Sequence, residues 1–376
     1  MQRNLLLSLV LASLCGSTTA AFAVDAPIVY GLVKKEIKYI NQDSAADRRE
    51  FYGPTDVDGL EGRLGVKGVI PLGSDFKGVY NLELGLNSSL DNAPAADAAS
   101  DERIRIRQAN GVVGADKCGF FTFGQAYLPG MARMGAYDPL LGTGVQMLGL
   151  DFRYIAGFVA GYPSLTRSPF MNLISYATPA WNGLKLTLSF DNNDQTSAAR
   201  TTTAERWWTT ELAYDVEFSG MKLSFTGVYG DQSKDGTKAK DEMSYFQTGA
   251  KLSVDRFAVG LGYYWLEYNN PLNAKNVDDK SYMAVVSYRV IDPLLLAANY
   301  YMTKFDKQGV NTGEQSQFGL GAILGLSENV STHLAFALVE RESNTALGTS
   351  LLPKDTTGAK KDNSATLVLA GVTFKF

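Results

Sequence analysis

The chain has 376 residues, of which 45% are hydrophobic and 11% aromatic, and its net charge is −4 at pH 7. No stretch reaches the roughly 18 consecutive apolar residues of a membrane-spanning helix, which excludes a helical membrane protein. The acidic balance argues against nucleic-acid binding, and two Cys and one His argue against a disulfide scaffold or a zinc centre.

The first segment, Met1–Ala23, is predicted to be a secretory signal peptide. Arg3 supplies the positive charge, Leu5–Leu14 form the apolar core, and Ala21–Ala23 match an A-x-A cleavage site. The mature chain, 24–376, then carries 34 basic and 39 acidic residues, a net charge of −5. Its single thiol is Cys118, so we expect an exported protein without an internal disulfide.

The mature chain is predicted to open with a strand near Pro27–Ile40. This strand carries charges in adjacent positions, at Lys34, Lys35, Glu36 and Lys38. Since successive side chains of a strand point to opposite faces, one lysine must lie on the outer face in either register.

Short turn sequences divide the rest of the chain at seven points. Each interval between them holds a strand, a longer polar loop and a returning strand. Seven hairpin turns imply fourteen strands, and the opening strand and a closing one at Ser364–Phe376 raise the total to sixteen. The turns lie at Pro71–Phe76, Ala115–Gly119, Pro179–Gly183, Phe218–Gly220, Val254–Arg256, Ile291–Pro293 and Ser327–Asn329, and the longer loops include Asn41–Asp58, Ser88–Asp101 and Arg341–Asn363.

Apolar and polar residues alternate strictly along these strands, for example over Leu184–Phe190, Trp208–Phe218 and Tyr282–Val290. A soluble sandwich would also alternate. Tyr and Trp, however, recur at strand ends on the apolar face, as in a membrane-interface girdle, and the other face is charged in mid-strand, as in a water-filled lumen. One strand, Leu294–Met302, is apolar on both faces for several residues, so its register stays open.

An even strand number with short turns on one side and longer loops on the other is typical of bacterial outer-membrane barrels. An open sheet edge has no hydrogen-bond partners in lipid, so the sheet must close. Sixteen strands leave an aqueous channel inside. We therefore predict an all-β fold: a closed antiparallel 16-stranded transmembrane β-barrel.

The closing strand ends on an aromatic residue. Phe376 and Phe374 belong to the apolar face, while Lys375 points the other way. A chain that ends on Phe in an amphipathic strand looks like the assembly signal of outer-membrane barrels.

Several short sequences in order resemble the general diffusion porins of Gram-negative bacteria. The resemblance covers essentially the whole mature chain, and its local carriers are Ile28–Gly31, Gly62–Gly68, Arg107–Ala109, Leu173–Pro179 and the closing Phe376. It implies a homotrimer in the cell outer membrane, with early and late strands at the subunit contacts. It also implies contacts with membrane lipid and lipopolysaccharide, folding by the barrel-assembly machinery, small hydrophilic solutes as cargo and no cofactor.

One interval, Ala126–Thr166, lacks alternation over 41 residues and is the third loop by count. The resemblance implies that this loop folds into the lumen and narrows it. Its charges are Arg133, Asp138, Asp151 and Arg153, and six aromatics and seven glycines make up much of the rest. The aromatics either wedge the loop against the wall or contact solutes.

The resemblance also implies a ladder of basic residues that faces the loop. Arg63 and Arg107 occupy matching positions on the polar face, and Arg167 is a looser match at the exit of the loop. Family members commonly carry several acids in the loop, whereas this one has only Asp138 and Asp151. We therefore expect a constriction that is positive or nearly neutral and weakly favours anions.

Three functions other than a general diffusion channel are compatible with an outer-membrane barrel. A barrel hydrolase would depend on His333, the only histidine. An adhesive surface protein would favour longer or low-complexity outer loops. A substrate-selective channel, for a particular small organic anion or similar solute, is favoured by the aromatic, charge-poor loop. The sequence is best explained by a porin for passive diffusion of small hydrophilic solutes and ions.

Overall fold

The computed structural model describes residues 26–43, 48–55, 62–73, 75–86, 104–140, 170–194, 204–235, 240–270, 275–307, 310–343 and 363–376. The predicted signal peptide lies outside these residues. Within the described ranges, no helix is long and apolar enough to cross a membrane.

Nearly all described residues belong to one antiparallel sheet. Its strands are β1 (Ile28–Asp43), β2 (Arg48–Thr55), β3 (Gly62–Gly73), β4 (Phe76–Leu86), β5 (Ile104–Ala115), β6 (Gly119–Tyr127), β7 (Phe170–Ala177), β8 (Leu184–Asp194), β9 (Ala204–Phe218), β10 (Met221–Asp235), β11 (Lys240–Val254), β12 (Phe257–Asn270), β13 (Lys275–Ile291), β14 (Leu294–Lys307), β15 (Val310–Gly325), β16 (Val330–Ser343) and β17 (Asn363–Lys375). One short helix, α1, spans Met131–Gly135.

The sheet closes on itself because β1 pairs with β17 over the register Leu32↔Lys375 to Asp43↔Ser364. On its other side, β1 pairs with β3 through Ile28–Leu32 and with β2 through Glu36–Gln42. β2 and β3 are therefore two segments of one barrel strand. The predicted closed barrel of sixteen strands is confirmed.

The last residue takes part in this closure. Phe376 accepts a hydrogen bond from Gly31 N at 2.9 Å and donates one to Gly31 O at 3.2 Å. Its ring covers the outer side of Gly31, where a Cβ would collide with it. The terminal aromatic thus lies at the seam between the first and last strands.

The seven predicted turns all join adjacent strands. Two of them have positive φ at both central residues: Asn182–Gly183, at 47° and 85°, and Ser219–Gly220, at 48° and 76°. This is the turn geometry that matches the twist of a two-residue hairpin, and it favours Asn and Gly.

The prediction of a long loop over Asn41–Asp58 is wrong at 41–43 and 48–55, while 44–47 and 56–58 lie outside the described residues. β1 continues to Asp43, and β2 occupies Arg48–Thr55. With 16 residues, β1 exceeds the roughly 9–11 that cross a bilayer. Part of β1 therefore extends beyond the hydrocarbon, where the requirement for an apolar outward side chain at every second position ends.

The two faces of the wall follow the predicted alternation. On β9, Trp208 is 43% exposed toward the lipid side, whereas Trp207 is 5% exposed on the inner side. The register of β14 is now defined, with Ala297, Asn299 and Tyr301 inside.

The structure also shows which lysine of β1 lies on the outer face. Glu36 and Lys38 are buried on the inner face, with Glu36 Oε1 3.5 Å from Lys38 Nζ. Val33 and Ile37 are exposed on the outer face. Because Lys35 has the parity of Val33 and Ile37, Lys35 is the outward lysine.

Candidate pore constriction

Three neighbouring strands bring two arginines and one acid together on the inner face of the barrel. Arg63 lies on β3, Arg107 on β5, and Glu83 on β4 between them. Arg107 Nε donates a hydrogen bond to Glu83 Oε1 at 2.8 Å, and Arg63 Nη1 lies 4.0 Å from Glu83 Oε2. Glu83 thus links the two predicted ladder arginines.

A β-bulge at Arg107 makes this arrangement possible. Glu83 pairs with Gln108, but Leu84 pairs with Ile106, so Arg107 is an extra residue in β5. Both Arg107 and Gln108 consequently reach the inner face, where Gln108 Nε2 lies 3.4 Å from Glu83 Oε1. Bulges commonly re-aim a side chain beside a functional site.

Tyrosines and a lysine complete the cluster. Tyr30 OH donates to Glu83 Oε2 at 3.0 Å, and Arg107 Nη2 donates to Tyr127 OH at 2.7 Å. Lys67 Nζ lies 5.2 Å from the centre of the Tyr30 ring, within the range of a cation–π contact.

The two ladder arginines differ in exposure. The side chain of Arg63 is 21% exposed, whereas those of Arg107 and Glu83 are 4% and 3% exposed. Lys67 is exposed. Arg63 and Lys67 are therefore accessible on the inner face of the barrel, while Arg107 is a buried support. With three bases and one acid, this cluster on β3–β5 has a formal charge of +2.

The charge of Arg133 in the third loop is compensated by wall residues. This residue lies on α1, and its Nη1 donates to Asp215 Oδ2 at 2.6 Å. Its Nε lies 3.6 Å from Glu211 Oε1. Both acids project inward from β9, so Arg133 attaches the loop to the wall.

Asp138 is sequestered in the same way. Its side chain is buried, and its Oδ2 accepts hydrogen bonds from Tyr301 OH at 2.5 Å and Asn299 Nδ2 at 2.8 Å. Its Oδ1 accepts a third from Leu140 N at 2.8 Å. Burial raises the pKa of the Asp138 carboxyl above its usual range, and the three hydrogen bonds oppose that rise. Asp138 is thus an attachment of the loop rather than an acid that faces solutes.

Residues 128–140 pack against the inner wall. Tyr137 OH donates to Thr226 Oγ1 at 3.0 Å, and Lys251 Nζ donates to Ala136 O at 2.9 Å. Met134 and Tyr137 belong to a buried apolar cluster with inward residues of β9–β14. The loop aromatics were expected either to pack the loop against the wall or to contact solutes, and Tyr137 packs against the wall.

Three predicted site residues, Asp151, Arg153 and Arg167, lie outside the described ranges. Glu83 was not predicted as a partner of the ladder, although it lies between the outward residues Leu82 and Leu84 and so has inner parity. Glu211 and Asp215 were not predicted as partners of Arg133, because only the fold brings them to the third loop.

Comparison with known proteins gives a consistent result. A sequence model of Gram-negative porins matches residues 9–344. The chain is 21% identical over 377 residues to outer membrane porin protein 32 of Delftia acidovorans, which covers 98% of this chain and 99% of that relative.

Among solved structures, the barrel is similar to an anion-selective porin from Comamonas acidovorans, with a TM-score of 0.72 at 19% identity over 93% of this chain and 99% of the other. The trimer form of OmpT from Vibrio cholerae gives a TM-score of 0.63 at 15% identity over 94% and 100%. At such identities, structural similarity shows the fold.

Proposed function

The chain belongs to the Gram-negative porin family, and from this premise we propose that its outer-membrane channel prefers anions weakly because of the cluster on β3–β5. The observation that carries the proposal is the balance of charge. Arg63, Lys67 and Arg107 outnumber Glu83, whereas Arg133 is compensated by wall acids and Asp138 is buried. Fixed charge in a narrow pore selects ions because it is screened less there than in bulk water.

Reversal potentials in a salt gradient test this proposal. The variant Arg63→Ser/Lys67→Ser removes both exposed bases, so its channel should shift toward cations. The control is Lys117→Ser, which removes an exposed base from the turn before β6. Cation preference in the unmutated channel, unaltered by the double substitution, would exclude the cluster as the ion filter.

A substrate-selective channel for a small organic anion is the second candidate. It is supported by the charge-poor third loop and by the solved relative described as anion-selective. Liposome swelling with neutral sugars and organic anions separates the two. Rates that follow only solute size favour general diffusion, and one solute entering faster than its size allows favours selectivity.

We also propose a homotrimer that folds into lipid and lipopolysaccharide with the barrel-assembly machinery. The trimer form of a solved relative supports it, and a subunit contact over β1 would shield the outward Lys35 from lipid. Chemical crosslinking of the purified protein should give a three-subunit product.

The family implies a channel rather than an enzyme. His333 Nε2 lies 4.0 Å from Glu36 Oε2, with both side chains buried. We therefore infer a packing role for His333 and no hydrolase activity. A hydrolase activity that is lost in His333→Ala would contradict this.

A further inference from the structure

The third loop rests on inward-facing glycines of the barrel wall. Gly249 on β11 and Gly262 on β12 lie directly opposite each other in the strand register, and Gly260 follows on the same face of β12. Gly321 on β15 continues the surface. We call these four residues the glycine seat.

Alanines extend the seat around Gly321. This glycine pairs with Ala297 on one side and Ala335 on the other, and both alanines are buried beside Leu140. The wall is therefore shallow where the end of residues 128–140 meets it.

The loop leaves no room for a Cβ at three of the four seat glycines. A Cβ on Gly249 would lie 2.9 Å from Met134 Cε and from Tyr137 Cδ2. On Gly260 it would lie 3.0 Å from the carbonyl oxygen of Tyr137, a backbone atom that cannot rotate away. On Gly321 it would lie 2.5 Å from Leu140 Cδ2.

These distances set how far the loop would have to move. Carbon atoms pack at about 3.5–4.0 Å, so a methyl group at Gly321 requires about 1 Å of additional separation from Leu140 Cδ2, which rotation of the Leu140 side chain and displacement of the loop supply together. At Gly260 the obstacle is the backbone oxygen of Tyr137, so there the loop backbone itself must move. The wall and the lipid lie behind the seat, so a displaced loop can move only toward the lumen.

Glycines in strands can also serve only to let the sheet bend, without making room for another segment. A glycine needed only for that purpose leaves free space around its Cβ position. Gly111 on β5 does so, with nothing within 4 Å. The seat glycines differ because loop atoms occupy that space at Gly249, Gly260 and Gly321.

We propose that the glycine seat determines the width of the channel, and thereby the largest solute it admits, independently of the charges that determine ion preference. This inference rests on the channel function of the protein. The seat lets residues 128–140 lie flat against the wall, and a side chain at Gly260, or one at Gly321 too large for rotation of Leu140 to accommodate, displaces the loop into the path of solutes.

The experiment is a size-exchange series at Gly321. Single-channel conductance is measured in planar bilayers for the unmutated protein, Gly321→Ala, Gly321→Val and the double variant Gly321→Ala/Leu140→Ala. Conductance should fall in that order across the first three, and the double variant should recover it because the shortened residue 140 makes room for the new methyl group. The control, Gly111→Ala, should conduct as the unmutated protein does.

Two further measurements complete the test. Liposome swelling should show greater slowing for large sugars than for small ones in Gly321→Val. Reversal potentials should not change across the series, because no charge is altered. If Gly321→Val does not assemble, Gly249→Ala with and without Met134→Ala replaces it at the other end of the seat, with only partial recovery expected because Tyr137 Cδ2 also lies 2.9 Å from the new methyl group.

Equal conductance of Gly321→Val and the unmutated protein, with both channels assembled, would overturn the inference. A double variant as low as Gly321→Ala would also overturn it. Failure of the unmutated protein to conduct would instead contradict the channel function itself.

Discussion

Replacement of Glu83 by Gln tests the electrostatics of the constriction most directly. The substitution removes the one acid among Arg63, Lys67 and Arg107, so the formal charge of the cluster rises from +2 to +3. Arg63 Nη1 lies 4.0 Å from Glu83 Oε2, a distance at which unit charges interact by about 1 kcal/mol in water and about 4 kcal/mol at an effective dielectric of 20. Because Arg63 is partly exposed, we expect a value near the lower figure for this pair.

Loss of the Glu83 charge should affect the buried Arg107 more strongly than the partly exposed Arg63. Arg107 and Glu83 are both nearly inaccessible, and removal of one charge from such a pair costs about 3–5 kcal/mol. Gln keeps one carbonyl oxygen as an acceptor for Arg107 Nε, so we expect a loss of stability of about 2–3 kcal/mol. Glu83→Gln should therefore lower the unfolding temperature and strengthen anion preference together.

Reversal potentials at low and high salt measure the second effect. The shift toward anions should shrink between roughly 0.1 and 1 M salt, because the Debye length falls from about 10 to about 3 Å. The control is Asp75→Asn, which neutralises an exposed acid paired with Lys117 at a turn. An assembled Glu83→Gln channel with unchanged selectivity, or with a shift toward cations, would refute the assignment of Glu83.

Three further predictions concern the loop and the assembly. Burial raises the pKa of the Asp138 carboxyl, so the folded state binds a proton at this group more tightly than the unfolded state does. The stability of the fold should therefore fall as pH rises above the ordinary Asp range. Thermal unfolding at a series of pH values should show this fall in the unmutated protein and not in Asp138→Asn. Deletion of Phe376 should impair assembly and leave export intact, because it removes both hydrogen bonds to Gly31; normal amounts of folded protein in the outer membrane would contradict this. The family resemblance and the closed hydrogen-bond network within each barrel together predict a trimer that resists detergent at room temperature and releases monomers on heating; a single monomer band at every temperature and detergent strength would count against the trimer.

The sequence alone determined the architecture of the barrel. Period-two alternation and seven turn sequences sufficed for the two faces and the strand number, and the need of a sheet edge for hydrogen-bond partners in lipid required closure. These features are local, because a strand in lipid must present apolar side chains outward at every second position. The prediction failed at 41–43 and 48–55, which belong to β1 and β2, because their polar sequence does not alternate and so gives no local strand signal.

Only the tertiary structure decided which charges meet. The sequence predicts Asp138 as a pore acid. In the structure its carboxylate is buried and accepts a hydrogen bond from the OH group of Tyr301, 163 residues later in the chain. The sequence predicts Arg107 as a lumen charge, whereas a bulge in its pairing with β4 places it against Glu83, and Arg63 and Lys67 are the more exposed bases of the cluster. Such pairings depend on strand register and on how the third loop lies across the wall. Both are set by contacts between residues far apart in the chain, which no local pattern records.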